Sequence, residues 1–120
     1  PRIKNDFLEM MVKTALGELD TISLELDKST YANVVLVSGG YPGPYENEKK
    51  ITGLNNEINS IIFHAGTKKE NKDIVTNGGR VLSIVSKSDD FKSALLKSYN
   101  SIEGIDFDKK SFRKDLGFDL

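Results

Sequence analysis

Three glycine-rich turns, each directly after a β-like run, constrain this chain more than any other feature. They are Ser38 to Gly43 (SGGYPG), His64 to Lys68 (HAGTK) and Thr76 to Arg80 (TNGGR). Glycine tolerates positive φ and lets a ligand or another backbone approach closely. Three such turns that leave three strands predict one rim around a small polar molecule.

Length and charge limit the class of protein. A chain of 120 residues suffices for one compact domain that buries roughly two thirds of its unfolded surface, and it is too short for two ordinary domains. Seventeen basic residues face 18 acidic ones, for a formal net charge of -1, and the pI is near 5.9. A nucleic-acid-binding domain of this size usually has a basic face and a high pI, so we expect no nucleic-acid partner.

The absence of cysteine excludes several kinds of site. With no cysteine in the sequence, disulfides, thiolate nucleophiles and cysteine-based zinc or iron-sulfur sites are ruled out. The composition fits the reducing cytoplasm. No apolar run approaches the roughly 18 residues that span a bilayer, so we expect no membrane partner. Because the chain opens on Pro1 without an initiator methionine, we expect it to be a piece of something longer.

Apolar residues at helical spacing predict two helices. One covers residues 6–17, from a cap at Asp6 with Glu9 three residues on, to a stop at Gly17. The other begins at residues 88–90, ends at Gly104 and is expected to lie against a sheet. The apolar stripes are Leu8, Met11, Val12 and Ala15 in the first helix, and Phe91, Leu95, Tyr99 and Ile102 in the second.

The remaining segments predict strands and loops. Residues 21–27 alternate strictly and predict a half-buried strand, whereas Val34 to Val37 is apolar on both faces and predicts an interior strand covered on both sides. Residues 61–85 predict an antiparallel meander in which 68–72 is a turn. Residues 42–55 are expected to form a long exposed loop. The tail from Phe107 to Leu120 is expected to pack back on the domain, where it could add a last short strand.

Together these elements predict one α+β domain with a small, mostly antiparallel sheet or an open barrel and a packed helix. Standard catalytic signatures, such as phosphate loops, H-E-x-x-H and nucleophile elbows, are absent. The single His64 ends an apolar strand, where a hydrogen-bonded structural imidazole is favoured over a general base. One histidine without nearby cysteine does not form a metal site by itself.

Arg80 is the best binding candidate, because a guanidinium that leaves a double-glycine turn offers a planar fork of donors to phosphate or carboxylate. The alternative is a surface arginine paired with an aspartate. Lys68 could add a point charge beside it if the two strands are neighbours. The peptide N–H groups around Gly39 and Gly40 form either an anion-binding concavity or a plain tight turn. The mixed-charge segment from Arg113 to Gly117 is interpreted as forming a structural salt bridge.

Five ordered motifs resemble one family. They are SGGYPG at 38–43, ITGL at 51–54, FHAGTK at 63–68, VTNGGRVL at 75–82 and FRKDLGF at 112–118. In this order they resemble the C-terminal part of phosphoribosylamine-glycine ligase, also called glycinamide ribonucleotide synthetase, of the ATP-grasp superfamily.

The resemblance implies a domain division. PRIKND at 1–6 is similar to the stretch just after the family's metal-binding strand. Residues 1–20 would then be a helical remnant of the upstream ATP-grasp domain, and residues 21–120 the family's C-terminal domain.

The resemblance also implies a reaction in purine synthesis: ATP, glycine and 5-phosphoribosylamine give ADP, phosphate and glycinamide ribonucleotide. ATP and Mg²⁺ would be bound mainly by residues upstream of Pro1, so we expect residues 1–120 alone to be inactive and to hold no catalytic residue. Arg80, with Lys68, would bind the 5-phosphate. Gly39, Gly40 and Tyr41 would shape the same wall.

Two other classes of function stay open at this stage. One is a non-catalytic small-barrel module for binding or interaction, whose glycine turns are only tight connections. The other is a small enzyme with its own acid-base pair drawn from Asp73, Asp115 and His64, although nothing in the spacing brings these three together.

Overall fold

The computed structural model describes residues 1–55 and 59–119. These residues form two helices, α1 (Phe7–Leu16) and α2 (Phe91–Glu103), and two antiparallel three-stranded sheets. The strands are β1 (Thr30–Val37), β2 (Lys50–Ile51), β3 (Ile61–His64), β4 (Thr67–Glu70), β5 (Asp73–Thr76) and β6 (Arg80–Ser88). The predicted α+β class is confirmed, and the described residues close no barrel. None of their helices has the length and apolar character needed to cross a membrane.

The core lies between α2 and one face of the first sheet, whose strand order is β1-β6-β3. Val34 pairs with Ile84 and Leu36 with Leu82, and all four side chains are fully buried. Alternate residues of a strand share a face, so this apolar set comes from every second position of β1. The predicted second helix is confirmed, with Asp90 as its N-cap, and it lies against this face.

The expectation of an interior strand covered on both sides is wrong for β1. Among the described strands its one partner is β6, so it lies at an edge of the sheet. On the face away from α2, Asn33 is exposed, while Val35 and Val37 are half-buried. A register shift at Leu36 and Val37 marks a β-bulge at the end of the strand. The open face of the sheet is therefore available to form a site.

The predicted meander over residues 61–85 is also wrong. β3 pairs with β6, while β4 and β5 form a hairpin that joins β2 in the second sheet, of order β2-β5-β4. Residues 68–70 belong to β4, and the turn is limited to Asn71 and Lys72. The physical reason is side-chain character, since the β3 and β6 segments are largely apolar whereas β4 reads TKKE and leaves the apolar core.

The loop and the tail are more ordered than the sequence suggests. The 42–55 segment contains β2, whose Ile51 is buried. The tail packs back as expected through Phe107, Phe112 and Leu116, although Phe118 is exposed. The possible last strand is absent from the described residues. Isolated β-bridges instead join Ser111 of the tail to Val37 of β1 and, just before the tail, Asp106 to Thr52.

The N-terminal helix forms as predicted. The Asp6 carboxylate accepts hydrogen bonds from the backbone N–H groups of Leu8 and Glu9, and Gly17 ends the helix at φ 72°. Its apolar stripe, however, stays largely exposed among the residues that the structure describes. Leu8 is 72% exposed and Met11 54% exposed, so α1 contributes nothing to the core described above.

The predicted strand over residues 21–27 is wrong. Residues 19–21 form a 3-10 turn, and the only bridge of this segment joins Leu26 to Ile3. The Lys4 N–H donates to the Glu25 carbonyl at 2.9 Å and the Asp27 N–H to the Arg2 carbonyl at 2.7 Å. The alternating apolar residues have no sheet to join, so residues 1–27 close on themselves as an arm that carries α1.

Candidate functional site

The first and third glycine turns meet where β1 ends and β6 begins. The Ser38 N–H donates to the Gly79 carbonyl at 2.8 Å, and the Ser38 hydroxyl donates to the Gly78 carbonyl at 2.9 Å. Ser38 is buried, which makes both bonds costly to lose. Antiparallel pairing of β1 with β6 brings these two turns together.

The second glycine turn closes on the third. The Gly66 N–H donates to the Arg80 carbonyl at 2.8 Å, and the Asn77 N–H donates to the Gly66 carbonyl at 2.7 Å. A Cβ on Gly66 would lie 2.6 Å from the Arg80 carbonyl oxygen and 2.8 Å from the Gly78 Cα. Only glycine allows this approach. The predicted meeting of the three turns is confirmed.

Tyr41 lies over the third turn and forms part of the wall. A Cβ on Gly79 would lie 2.1 Å from the Tyr41 Cδ2 atom, so the ring rests directly on this glycine. Tyr45 contacts Tyr41 edge-on, with ring centroids 6.1 Å apart. Gly40, at φ 99°, forms the turn that presents the tyrosine.

Gly39 and Gly40 lie behind this wall. A Cβ on Gly39 would contact Lys109 of the tail, and a Cβ on Gly40 would collide with the Pro44 carbonyl. Within residues 1–55 and 59–119, no acceptor pairs with either N–H. Neither glycine lines the cavities described next, so their direct role in anion binding stays a prediction.

Arg80 stands at the junction of two cavities on the open face of the first sheet. One, of about 500 Å³, is bounded by the tail, and the other, of about 710 Å³, by the glycine turns. Both are lined by Asn33, Val35, Tyr41 and Arg80, so we treat them as one groove, called the Arg80 groove below. Its two parts are called the tail side and the turn side.

The Arg80 side chain is exposed and makes no hydrogen bond or ion pair with any described residue. The alternative interpretation, a surface arginine paired with an aspartate, therefore does not hold in this structure. All five guanidinium N–H donors are available. The groove, which Tyr41 also lines, thus has a delocalised positive charge that no described residue compensates.

Lys68 is placed differently. It lies on β4 in the second sheet, with its ammonium 2.8 Å from a Glu48 carboxylate oxygen and 3.8 Å from one of Glu70. The hydrogen bond with Glu48 raises the pKa of Lys68 and lowers the pKa of Glu48. Lys68 lines neither part of the groove. Its role as a second phosphate ligand stays a prediction.

Arg113 was missed as a lining residue. The predicted salt bridge is confirmed as a fork, with Nε 2.9 Å from Asp115 Oδ1 and Nη2 2.7 Å from Oδ2. Arg113 also lines the tail side together with Arg80. No spacing in the sequence could have shown this, because it depends on the tail returning to β1 through the bridge of Ser111 to Val37.

The three residues of the acid-base alternative are not brought together as one unit. The His64 ring nitrogen Nδ1 lies 3.0 Å from the Thr67 hydroxyl, which supports the structural interpretation. Asp73 pairs with Lys50 at 2.9 Å, and Asp115 pairs with Arg113. Among the described residues, no group of three His, Asp or Glu side chains is placed to hold a metal ion.

Comparisons with known proteins agree on one family. The family model "Phosphoribosylglycinamide synthetase, C domain" matches residues 31–119. The chain is 39% identical over 116 residues to the phosphoribosylamine--glycine ligase of Caldanaerobacter subterraneus, covering 97% of this chain and 28% of that protein. It is 40% identical over 121 residues to the bifunctional purine biosynthetic protein purD of Dictyostelium discoideum, covering 98% of this chain and 15% of that protein.

A solved structure shows the same fold. The crystal structure of phosphoribosylamine--glycine ligase from Thermotoga maritima superimposes with a TM-score of 0.72 at 31% identity, covering 89% of this chain and 27% of that chain. The chain therefore spans between about a seventh and somewhat over a quarter of the length of these relatives.

Proposed function

Because the chain belongs to the phosphoribosylglycinamide synthetase C-domain family, we propose that it forms the phosphoribosyl-binding wall of a phosphoribosylamine-glycine ligase. The ligase would join glycine to 5-phosphoribosylamine in purine synthesis, at the expense of ATP. Family membership does not favour the alternative of a non-catalytic module. The proposal includes a cytoplasmic location.

One observation carries the assignment of the wall: Arg80 lines both parts of the groove, and its guanidinium has no hydrogen-bond or ion-pair partner among the described residues. A phosphate monoester is a dianion near neutral pH, and the planar fork of arginine matches its oxygens. The backbone bonds of Ser38 and Gly66 fix the turn from which Arg80 leaves. Because the backbone at Arg80 is held in this way, only its side chain has to be ordered when an anion binds.

The chemistry of the reaction needs such a wall. ATP, when bound, supplies a phosphoryl group that makes the glycine carboxylate an acyl phosphate, which the amine nitrogen of the ribosyl substrate attacks as phosphate leaves. The acyl phosphate reacts with water, so the two substrates must be aligned and shielded. In the proposal, Arg80 holds the 5-phosphate and thereby places the amine, while Tyr41 covers part of the groove.

We assign the nucleotide and magnesium sites to other parts of the enzyme. The described residues have no cluster of carboxylate or imidazole groups suited to a metal ion.

The domain division is part of the same proposal. The exposed stripe of Leu8, Met11 and Val12 on α1 would pack on the upstream ATP-grasp domain, as predicted for residues 1–20. The backbone hydrogen bonds of Lys4 with Glu25 and of Asp27 with Arg2 hold the two ends of the arm together. They support the proposal that the arm packs on that domain as one unit.

A titration followed by NMR tests the proposed wall. Addition of glycinamide ribonucleotide to the ¹⁵N-labelled chain is expected to shift the amide signals of Gly66, Gly79 and Arg80. Arg80→Ala should weaken binding by about tenfold or more, because it removes a charge-assisted contact. Lys69→Ala removes an exposed cation of β4 and should change little. Unshifted glycine-turn amides would refute the proposal.

A further inference from the structure

The tail side of the groove contains a second guanidinium whose position is fixed by its own carboxylate. Arg113 lines the same cavity as Arg80. We propose that Arg113 is a second ligand of the substrate phosphate and that Asp115 is a positioning residue that orients it. This inference rests on the proposed function, because it concerns the same phosphate.

The donor count supports the role of Arg113. A guanidinium has five N–H donors. The fork to Asp115 uses one at Nε and one at Nη2, which leaves three N–H groups, two of them on Nη1. An arginine held in this way can still donate two parallel hydrogen bonds to a phosphate.

The backbone that carries Arg113 is anchored on both sides. The Tyr99 hydroxyl donates to the Arg113 carbonyl at 2.9 Å. Before Arg113, Ser111 exchanges backbone hydrogen bonds of 2.8 and 3.0 Å with Val37. After it, Gly117 packs directly on the ring of Phe91 in α2, where an added Cβ would collide with the ring. A long exposed arginine usually loses much side-chain entropy on binding. Here the anchored backbone and the carboxylate fork have already restricted it.

Arg113 is better placed than Lys68 to be the second cation that binds the phosphate. Lys68, the second cation expected from the sequence, is compensated by Glu48 and Glu70 on the other sheet and does not line the groove. Arg113 is exposed, with 66% of its side chain accessible. The hydrogen bonds with Asp115 raise the pKa of Arg113 and lower the pKa of Asp115, as expected for a charge-assisted fork.

Selectivity for the phosphate is the measurable consequence. The dissociation constants of glycinamide ribonucleotide and of its dephosphorylated riboside are measured by NMR titration of the whole chain. Arg113→Ala should weaken ribonucleotide binding by roughly tenfold or more and leave riboside binding unchanged. Lys114→Ala is the matched control. It also removes one positive charge, at the next residue along the chain, but the Lys114 side chain lines other cavities and not the tail side of the groove.

A double-mutant cycle tests the positioning role. Asp115→Asn should weaken ribonucleotide binding several-fold when Arg113 is present. In the Arg113→Ala background it should not weaken binding, because there it only removes a negative charge near the phosphate. A merely structural carboxylate would lower affinity equally in both backgrounds. Arg113→Lys should restore only part of the affinity, because an ammonium cannot form the planar fork.

The outcomes separate this inference from the proposed function. If Arg80→Ala abolishes the preference for the phosphorylated ligand while Arg113→Ala leaves it intact, the wall stands and the role of Arg113 is refuted. Equal losses of ribonucleotide affinity in Arg113→Ala and Lys114→Ala would show a general effect of charge and would also refute the role of Arg113. If neither arginine affects the preference, the proposed function fails as well.

Discussion

Substitution of Gly66 by alanine tests the meeting of the glycine turns. The new Cβ would lie 2.6 Å from the Arg80 carbonyl oxygen and 2.8 Å from the Gly78 Cα. Both contacts are with backbone, which cannot rotate away as a side chain could. The second and third turns must therefore separate by several tenths of an ångström or more.

The cost of Gly66→Ala follows from the bonds at this contact. The Gly66 N–H to Arg80 carbonyl bond and the Asn77 N–H to Gly66 carbonyl bond would both be strained, at about 1 kcal/mol each if lost. Overpacking adds about 1 to 3 kcal/mol. We expect a decrease in the free energy of unfolding of about 3 to 5 kcal/mol, and displacement of the Arg80 backbone.

Gly43→Ala is the matched control. It lies in the first turn, where an added Cβ would make one contact of 3.2 Å with the Gly40 carbonyl. Its effect should be within about 1 kcal/mol in either direction. Chemical denaturation of both variants gives the two values. If Gly66→Ala were no more destabilising than Gly43→Ala, the close contact of the turns would be refuted.

Two further predictions concern the tail and the loop. Lys110→Met should decrease the free energy of unfolding by about 1.5 to 3 kcal/mol, as measured by chemical denaturation. The reason is that the Lys110 ammonium donates to the carbonyls of Ile102, at 3.1 Å, and of Ile105, near the end of α2. An unchanged free energy of unfolding would contradict this capping role. Hydrogen bonds with Lys49 and Lys109 lower the pKa of Glu46 from 4.5 to about 2. The stabilisation that these contacts supply should be full above about pH 4.5 and lost as the pH falls towards 2. Glu46→Gln should then lower stability at pH 7 and match the parent near pH 2, whereas a difference that is independent of pH would contradict the ion pair.

Local signals made part of this fold predictable. Asp6 caps the start of α1, Gly17 caps its end, and Asp90 caps the start of α2. Each cap contacts residues only a few positions away, so the sequence alone is enough to predict it. The glycine turns were recognisable for the same reason. Glycine between β-like runs indicates close backbone approach, although not which backbones approach each other.

Long-range pairing accounts for the errors. The alternation over residues 21–27 predicts a strand only if a sheet is available. The β-bridge that these residues form joins Leu26 to Ile3 of the N-terminal segment and not to a strand of either sheet. The hairpin of β4 and β5 leaves β3 free to pair with β6, which no periodicity reveals. For the same reason, Arg113 could be interpreted from its neighbour Asp115 as a salt bridge, but not as a lining residue of the Arg80 groove.

A crystal structure of this chain with glycinamide ribonucleotide would test the central claim most directly. We expect phosphate oxygens at about 2.7 to 2.9 Å from guanidinium nitrogens of Arg80, with the ribose in the groove beside Tyr41. A phosphate bound instead to Lys68, with its ion pair to Glu48 broken and the groove empty, would contradict the account.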